Sequence, residues 1–124
     1  MRKKRILLID DERDLSLLLK LNLERTGVYE VMAQNQPTQA LDSAKRFKPD
    51  LILLDIVMPG VSGFEVAAQV RAHEELKRIP IVFLTASLRE QNKELDESPF
   101  HNYPIILKPA TPEQIIACIE QQLI

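Results

Sequence analysis

Residues Leu51-Ile52-Leu53-Leu54-Asp55-Ile56-Val57-Met58-Pro59-Gly60 form an apolar run that reaches a carboxylate and is then broken by a Met-Pro-Gly turn. Four consecutive aliphatic side chains without alternation mark a strand buried on both faces, as in a parallel sheet. Two further runs end in the same manner. Ile6-Leu7-Leu8-Ile9 is closed by Asp10-Asp11, and Ile105-Ile106-Leu107 by Lys108-Pro109. Charged residues at the C-terminal ends of buried strands lie where an open α/β sheet places its ligand. Three acids and one lysine converging there point to a cation and a phosphoryl group, with an aspartate as acceptor.

Outward from these runs the period of the apolar pattern alternates. Short Ile/Leu/Val/Phe runs at 5–10, 51–55, 81–84 and 105–107 predict buried strands, and the mixed stretch 28–33 predicts an edge strand. Between them, residues 12–26 place Leu15, Leu18, Leu19 and Leu23 at helical spacing, with Gly27 as a stop. Residues 37–47 open with Pro37 and carry Leu41, Ala44 and Phe47 on one face. Ser62-Gly63-Phe64-Glu65 and Thr111-Pro112-Glu113-Gln114 each match a capping box, predicting helices through about residue 74 and through residue 123. Alternating strands and helices imply a parallel sheet covered on both faces. Five strands and five helices in this length match the flavodoxin-like α/β winding, order 2-1-3-4-5, whose switch point lies between strands 1 and 3. Asp10 and Asp11 end strand 1 and Asp55 ends strand 3, so the acids meet in the crevice.

Composition narrows the function classes. The chain has 124 residues, 45% hydrophobic and 27% charged, with net charge −2, which suits one globular domain and offers no basic stripe for nucleic acid. The basic start Arg2-Lys3-Lys4-Arg5 is not a signal peptide, because Asp10-Asp11-Glu12 cuts the following apolar run short. No stretch reaches the roughly 20 apolar residues of a membrane helix. The single cysteine, Cys118, excludes an internal disulfide and fits a reducing cytoplasm. His73 and His101 lie far apart without an acid or cysteine cluster, so neither is assigned a role.

Ile9-Asp10-Asp11-Glu12, Leu54-Asp55-Ile56-Val57-Met58-Pro59-Gly60-Val61-Ser62-Gly63, Leu84-Thr85-Ala86 and Leu107-Lys108-Pro109 occur in order, each at a strand end. Together they resemble the receiver domain of bacterial two-component response regulators, over about residues 5–123. The resemblance implies one receiver domain over residues 1–124, with Asp55 accepting a phosphoryl group from a sensor histidine kinase or phosphotransfer protein. It implies Mg2+ as cofactor, with Asp11 and Asp55 as carboxylate ligands, the Val57 carbonyl as a third oxygen and Asp10 acting through a water. Lys108 would neutralise the phosphoryl oxygens, Thr85 would donate its hydroxyl to one of them, and Ala86 would leave the acceptor open. Pro109 is expected to follow a cis bond, and Gly60 and Gly63 to serve the turn and the helix start. A cytoplasmic location is expected, with no direct contact to nucleic acid or membrane. A phosphorylation-dependent dimer or effector contact is expected on the 86–124 face. Residues 1–124 contain no effector domain, and either a stand-alone regulator or a piece of a larger protein is expected. By the same resemblance, Val57 and Ser87 flank the path of the attacking water, and apolar Val57 predicts a long-lived phosphoryl group.

The pattern departs from that family after strand 4. Ile105 holds the position usual for an aromatic, and Tyr103 lies two residues earlier, beyond Pro104. Leu88 and Leu95 are a thin apolar stripe among charged residues, and Pro99 and Pro104 flank Phe100-His101-Asn102. A short or irregular fourth helix and a mobile 86–102 segment are expected. An enzyme is the second reading: haloacid-dehalogenase-type phosphatases also use an aspartate nucleophile, magnesium and a lysine. They need an Asp-x-Asp pair after the first strand, whereas Asp10 and Asp11 are adjacent. A third reading, a receiver-like domain that binds a partner without phosphorylation, conflicts with the intact set of Asp11, Asp55, Thr85 and Lys108.

Overall fold

The aliphatic runs form the inner strands of one parallel sheet in the computed structural model, which describes residues 2–86 and 95–124. Strands β1 (Lys4–Ile9), β2 (Tyr29–Gln34), β3 (Leu51–Asp55), β4 (Ile81–Thr85) and β5 (Ile105–Leu107) lie in the order β2-β1-β3-β4-β5. All four pairings are parallel. This is the winding expected from the sequence, and it leaves the sheet's switch point between β1 and β3.

Alternate residues of the inner strands feed two separate cores. Leu7, Ile9, Ile52, Leu54, Ile81 and Phe83 pack on one face against α2 (Ala40–Phe47) and α3 (Gly63–Ala72). Ile6, Leu8, Leu51, Leu53, Val82 and Leu84 pack on the other, against Leu23 of α1 (Arg13–Glu24) and Ile115 and Ile119 of α4 (Pro112–Gln122). Cys118 packs at the edge of this second core, where burial pushes its thiol up.

The helix ends follow local chemistry. Ser62 Oγ accepts from the Glu65 N–H at 3.2 Å, one half of a capping box. At Thr111 both halves form: the Thr111 hydroxyl accepts from the Gln114 N–H, and the Gln114 side chain accepts from the Thr111 N–H. Gly27, beyond α1, has φ +82, a left-handed turn that costs glycine little. The stretch opened by Pro37 begins as a 3-10 turn over Pro37–Gln39 before α2.

One detail differs from the sequence reading, and another lies mainly outside the described residues. On α1 the core-facing residues are Ser16, Leu19 and Leu23, while Leu15 and Leu18 point outward. Leucines surround most of this helix, so spacing alone fits more than one face. The expected fourth helix falls mainly on residues 87–94, outside the described residues, as does Ser87; residues 95–97 are helical. Leu95 and Phe100 are buried in the first core, and Tyr103 packs against it. The Pro-flanked stretch, built of turns and bends, also supplies packing to that core. Phe64, Phe83, Phe100 and Tyr103 form a ring cluster with neighbouring centroids 5.1–6.4 Å apart. Arg71 of α3 donates from Nε to the Tyr103 hydroxyl and from Nη1 to the carbonyls of Lys77 and Ile79.

Candidate functional site

The register brings the charged residues together. Ile9 pairs with Leu54, Asp55 with Leu84 and Thr85 with Leu107. Asp10, Asp55, Thr85 and Lys108 therefore line the carboxyl edge of adjacent strands. The Asp10 N–H makes a last ladder-like bond to the Gln34 carbonyl at 3.2 Å. Asp10 Oδ1 then accepts from the Glu12 N–H at 3.0 Å and turns the chain into α1. The second Asp10 oxygen faces the site.

Asp55 is only 4% exposed. Its Oδ1 accepts from the Val57 N–H at 3.3 Å, which fixes the carboxylate over the loop that follows. That loop turns at Gly60, with φ +81, and returns so closely that the Gly63 N–H donates to the Ile56 carbonyl at 2.8 Å. A Cβ on Gly63 would lie 2.8 Å from the Ile56 Cα and closer still to the Asp55 carbonyl oxygen. Glycine alone lets α3 begin against the strand end that carries Asp55. The Val57 side chain is 56% exposed.

Lys108 connects the acids. Its Nζ donates to Asp10 Oδ2 at 2.6 Å, lies 3.4 Å from Asp55 Oδ2 and 3.7 Å from Glu12 Oε1. Its backbone N–H donates to the Thr85 carbonyl at 2.7 Å, so β4 positions it directly. The Lys108-Pro109 peptide is cis, as the resemblance implies. Thr85 is fully buried and Ala86 beside it is exposed.

The electrostatics are those of a site short of positive charge. Burial pushes the Asp55 carboxyl up to about 6 from 3.8; Lys108 pulls it down, the Asp10 charge pushes it up, and the Val57 N–H lowers it. Burial alone would lower the Lys108 ammonium, but its bond to Asp10 and the charges of Asp55, Asp10 and Glu12 leave it raised. One oxygen from each of Asp10, Asp11 and Asp55 lies within 4.8 Å of the others. The cluster's all-oxygen donors suit a hard divalent ion.

Asp10, Asp11, Asp55, Val57, Thr85 and Lys108 all fall at this edge or on the loop leaving it, and Ser87 lies outside the described residues. Two neighbours were not singled out. Asn35, at the end of β2, donates from Nδ2 to the Asp10 carbonyl at 2.7 Å and so fixes the peptide between the two acids. Its signal was positional: β2 lies beside β1 in this winding. Glu12 adds a third carboxylate near Lys108; its signal was its place beside the Asp10-Asp11 pair.

A family model described as the response regulator receiver domain matches residues 6–120. The chain belongs to that family. Receiver domains are the phosphoryl-accepting signalling domains of two-component systems, and this receiver is one of them. It is 38% identical over 118 residues to the alkaline phosphatase synthesis transcriptional regulatory protein PhoP of Bacillus subtilis, covering 94% of this chain and 47% of that protein. It is 37% identical over 120 residues to the phosphate regulon transcriptional regulatory protein PhoB of Pseudomonas aeruginosa, covering 97% and 52%. The receiver spans about half the length of the curated relatives it matches. Among solved structures, the chemotaxis protein CheY4 of Vibrio cholerae superposes with TM-score 0.85 at 26% identity, covering 96% of this chain and 98% of that one. The receiver domain of a sensor histidine kinase from Pseudomonas aeruginosa, with a magnesium ion coordinated in its active site cleft, gives 0.84 at 25%, covering 98% of each chain. Among the described residues, no helix is long and apolar enough to cross a membrane.

Proposed function

We propose that Asp55 is the phosphoacceptor of this receiver, that its donor is the phosphohistidine of a sensor kinase or phosphotransfer protein, and that residues 1–124 act as one receiver unit. The observation that carries this reading is the buried Asp55 carboxylate at the switch point, clustered with Asp10 and Asp11 and 3.4 Å from the Lys108 ammonium.

In the transfer, an Asp55 carboxylate oxygen forms a bond to phosphorus as the phosphorus–nitrogen bond to the imidazole breaks. The electron pair of that bond stays on the ring nitrogen, which can take up a proton. Two anions must approach, so charge compensation decides the rate. Mg2+ fits the donor set: Asp11 and Asp55 would hold it with the Val57 carbonyl, Asp10 assisting, and it would supply positive charge to offset the approach of two anions. Asp10, Asp11 and Asp55 gather negative charge beside the Lys108 ammonium, and a divalent ion would offset it. Lys108 swings its ammonium from Asp10 toward the transferred phosphoryl group, a point charge on a flexible stem. Thr85 donates its hydroxyl to a phosphoryl oxygen, because the added charge needs donors. The same groups serve gain and loss of the phosphoryl group in cis, and the site turns over no external phosphate ester.

Incubation with acetyl phosphate and Mg2+, followed by intact mass, tests this reading. One phosphoryl adduct is expected, lost in Asp55→Asn and lost when a chelator replaces Mg2+. An adduct that persists in Asp55→Asn overturns the assignment. Steady hydrolysis of a generic phosphate ester would move the domain to the phosphatase reading.

A further inference from the structure

Strand β2 forms one edge of the sheet. Native edges are blunted by lysine, proline, a bulge or short length. β2 has none of these. Its six residues, Tyr29-Glu30-Val31-Met32-Ala33-Gln34, carry one charge, and they pair with β1 in unbroken register. The Lys4 N–H donates to the Val28 carbonyl and the Asp10 N–H to the Gln34 carbonyl. Even-numbered residues therefore bond to β1, and Tyr29, Val31 and Ala33 turn their backbone groups outward.

One device covers part of this edge. The carboxylate of Glu24, the last residue of α1, accepts from the Val31 N–H at 3.0 Å. Among the described residues, no side chain takes the same place at Ala33. There the edge opens into a groove of about 440 Å³. Arg13 and Lys20 of α1 wall it from one face of the sheet and Phe47 of α2 from the other, with Met32, Ala33 and Asn35 between. The groove thus lies across the strand edge itself, where a further strand would sit about 4.8 Å from β2.

The walls select the occupant. Arg13 and Lys20 form no ion pair among the described residues, and no acid of those residues lines the groove. The opposite wall is apolar, since Phe47 and Met32 both belong to the core on the α2 side. Successive side chains of a strand point to opposite faces, so the matching segment alternates acidic and apolar residues. A second copy of β2 would bring Arg13 and Lys20 against their like, which disfavours pairing of this edge with itself.

We propose that the β2 edge is a docking site for an extended acidic segment of a partner protein, added as a sixth strand with backbone bonds at Ala33 and carboxylates against Arg13 and Lys20. Strand addition takes its affinity from main-chain bonds and its specificity from the flanking side chains. Asn35 lines the groove and also donates to the Asp10 carbonyl at 2.7 Å. The docked strand therefore lies beside the acidic site and leaves the charged groups of that site uncovered. One short strand buries less than the standard interface, so the dissociation constant falls at about 100 μM.

A fluorescent hexapeptide alternating Glu and Val is the probe, read by anisotropy with unphosphorylated protein in a chelator, which keeps Asp55 chemistry out of the measurement. Saturable binding is expected, with amide shifts in NMR spectra centred on Ala33 and Asn35. Arg13→Glu combined with Lys20→Glu should weaken binding at least about tenfold, with an unchanged circular dichroism spectrum, since both side chains lie outside the cores. The same double variant should bind a Lys–Val peptide to within about threefold of the parent with Glu–Val. The Glu–Val peptide N-methylated throughout keeps its charge but loses its backbone donors, and it should not bind. No binding of the Glu–Val peptide up to about 1 mM overturns the proposal. So does equal binding of the N-methylated peptide, which would reduce the site to a charged patch, or an exchange of charges that fails to rescue.

Discussion

Replacing Asp55 by Asn should make the metal-free protein more stable at neutral pH, although it removes a partner of Lys108. The carboxylate is buried, and its folded-state value of about 6 against 3.8 already includes the pull of Lys108. An acid whose value is raised on folding holds its proton more tightly in the folded state. Stability is then highest below the unfolded value, falls as pH rises from 3.8 to about 6, and stays low above it. The difference corresponds to about 3 kcal/mol at neutral pH. Asparagine keeps the shape and the acceptor for the Val57 N–H without the charge. Urea unfolding in a chelator should show Asp55→Asn more stable than the parent by about 2–3 kcal/mol near pH 7.5, and nearly equal to it near pH 4. Millimolar Mg2+ should close the gap by stabilising the parent more than the variant, by about 2.7 kcal/mol when the free ion stands at about a hundred times its dissociation constant. The reasoning fails if Asp55→Asn is no more stable than the parent at pH 7.5 without metal, or if the difference does not change with pH.

Three further outcomes follow from named contacts. Gly63→Ala should cost about 2–3 kcal/mol in urea unfolding, because the new methyl meets backbone at Asp55 and Ile56 rather than a side chain that can turn away. Ser16→Ala should add about 0.5–1.5 kcal/mol in the same assay: the Ser16 hydroxyl is buried without a hydrogen-bond partner among the described residues, and alanine is the better helix former. Val57→Asn should speed loss of the phosphoryl group about three- to tenfold, by placing a polar side chain where water approaches; a decay rate equal to the parent's would remove Val57 from that role.

The sheet was legible because its strands are buried on both faces. Runs such as Leu51–Leu54 and Ile6–Ile9 have no competing helical period, and their order constrains the winding. The acidic site was legible for the same reason: a carboxylate directly after such a run has nowhere to go but the carboxyl edge. Helix α1 was legible as a helix but not in its orientation. Its leucines fit several faces, and the core contacts choose Ser16, Leu19 and Leu23. The burial of Phe100 and the packing of Tyr103 could not be read from periodicity, because between Pro99 and Pro104 the chain follows neither the helical nor the strand repeat. Asn35 was hidden because its bond to the Asp10 carbonyl spans 25 residues and exists only once β2 lies beside β1.

The Arg71–Tyr103 contact sets a mechanical boundary. Tyr103 is moored by its ring, against Phe83 and Phe100, and by its hydroxyl, through Arg71, to the carbonyls at 77 and 79. Among the described residues, a displacement that starts at Thr85 passes across the sheet through the Thr85–Lys108 backbone bond. It meets β5, three residues long, with Leu107 at 49% exposure at its end. Motion from the acidic site is expected to run sideways into β5 and the start of α4, with Tyr103, tied to α3 and to the turn after it, as a fixed point beside that edge.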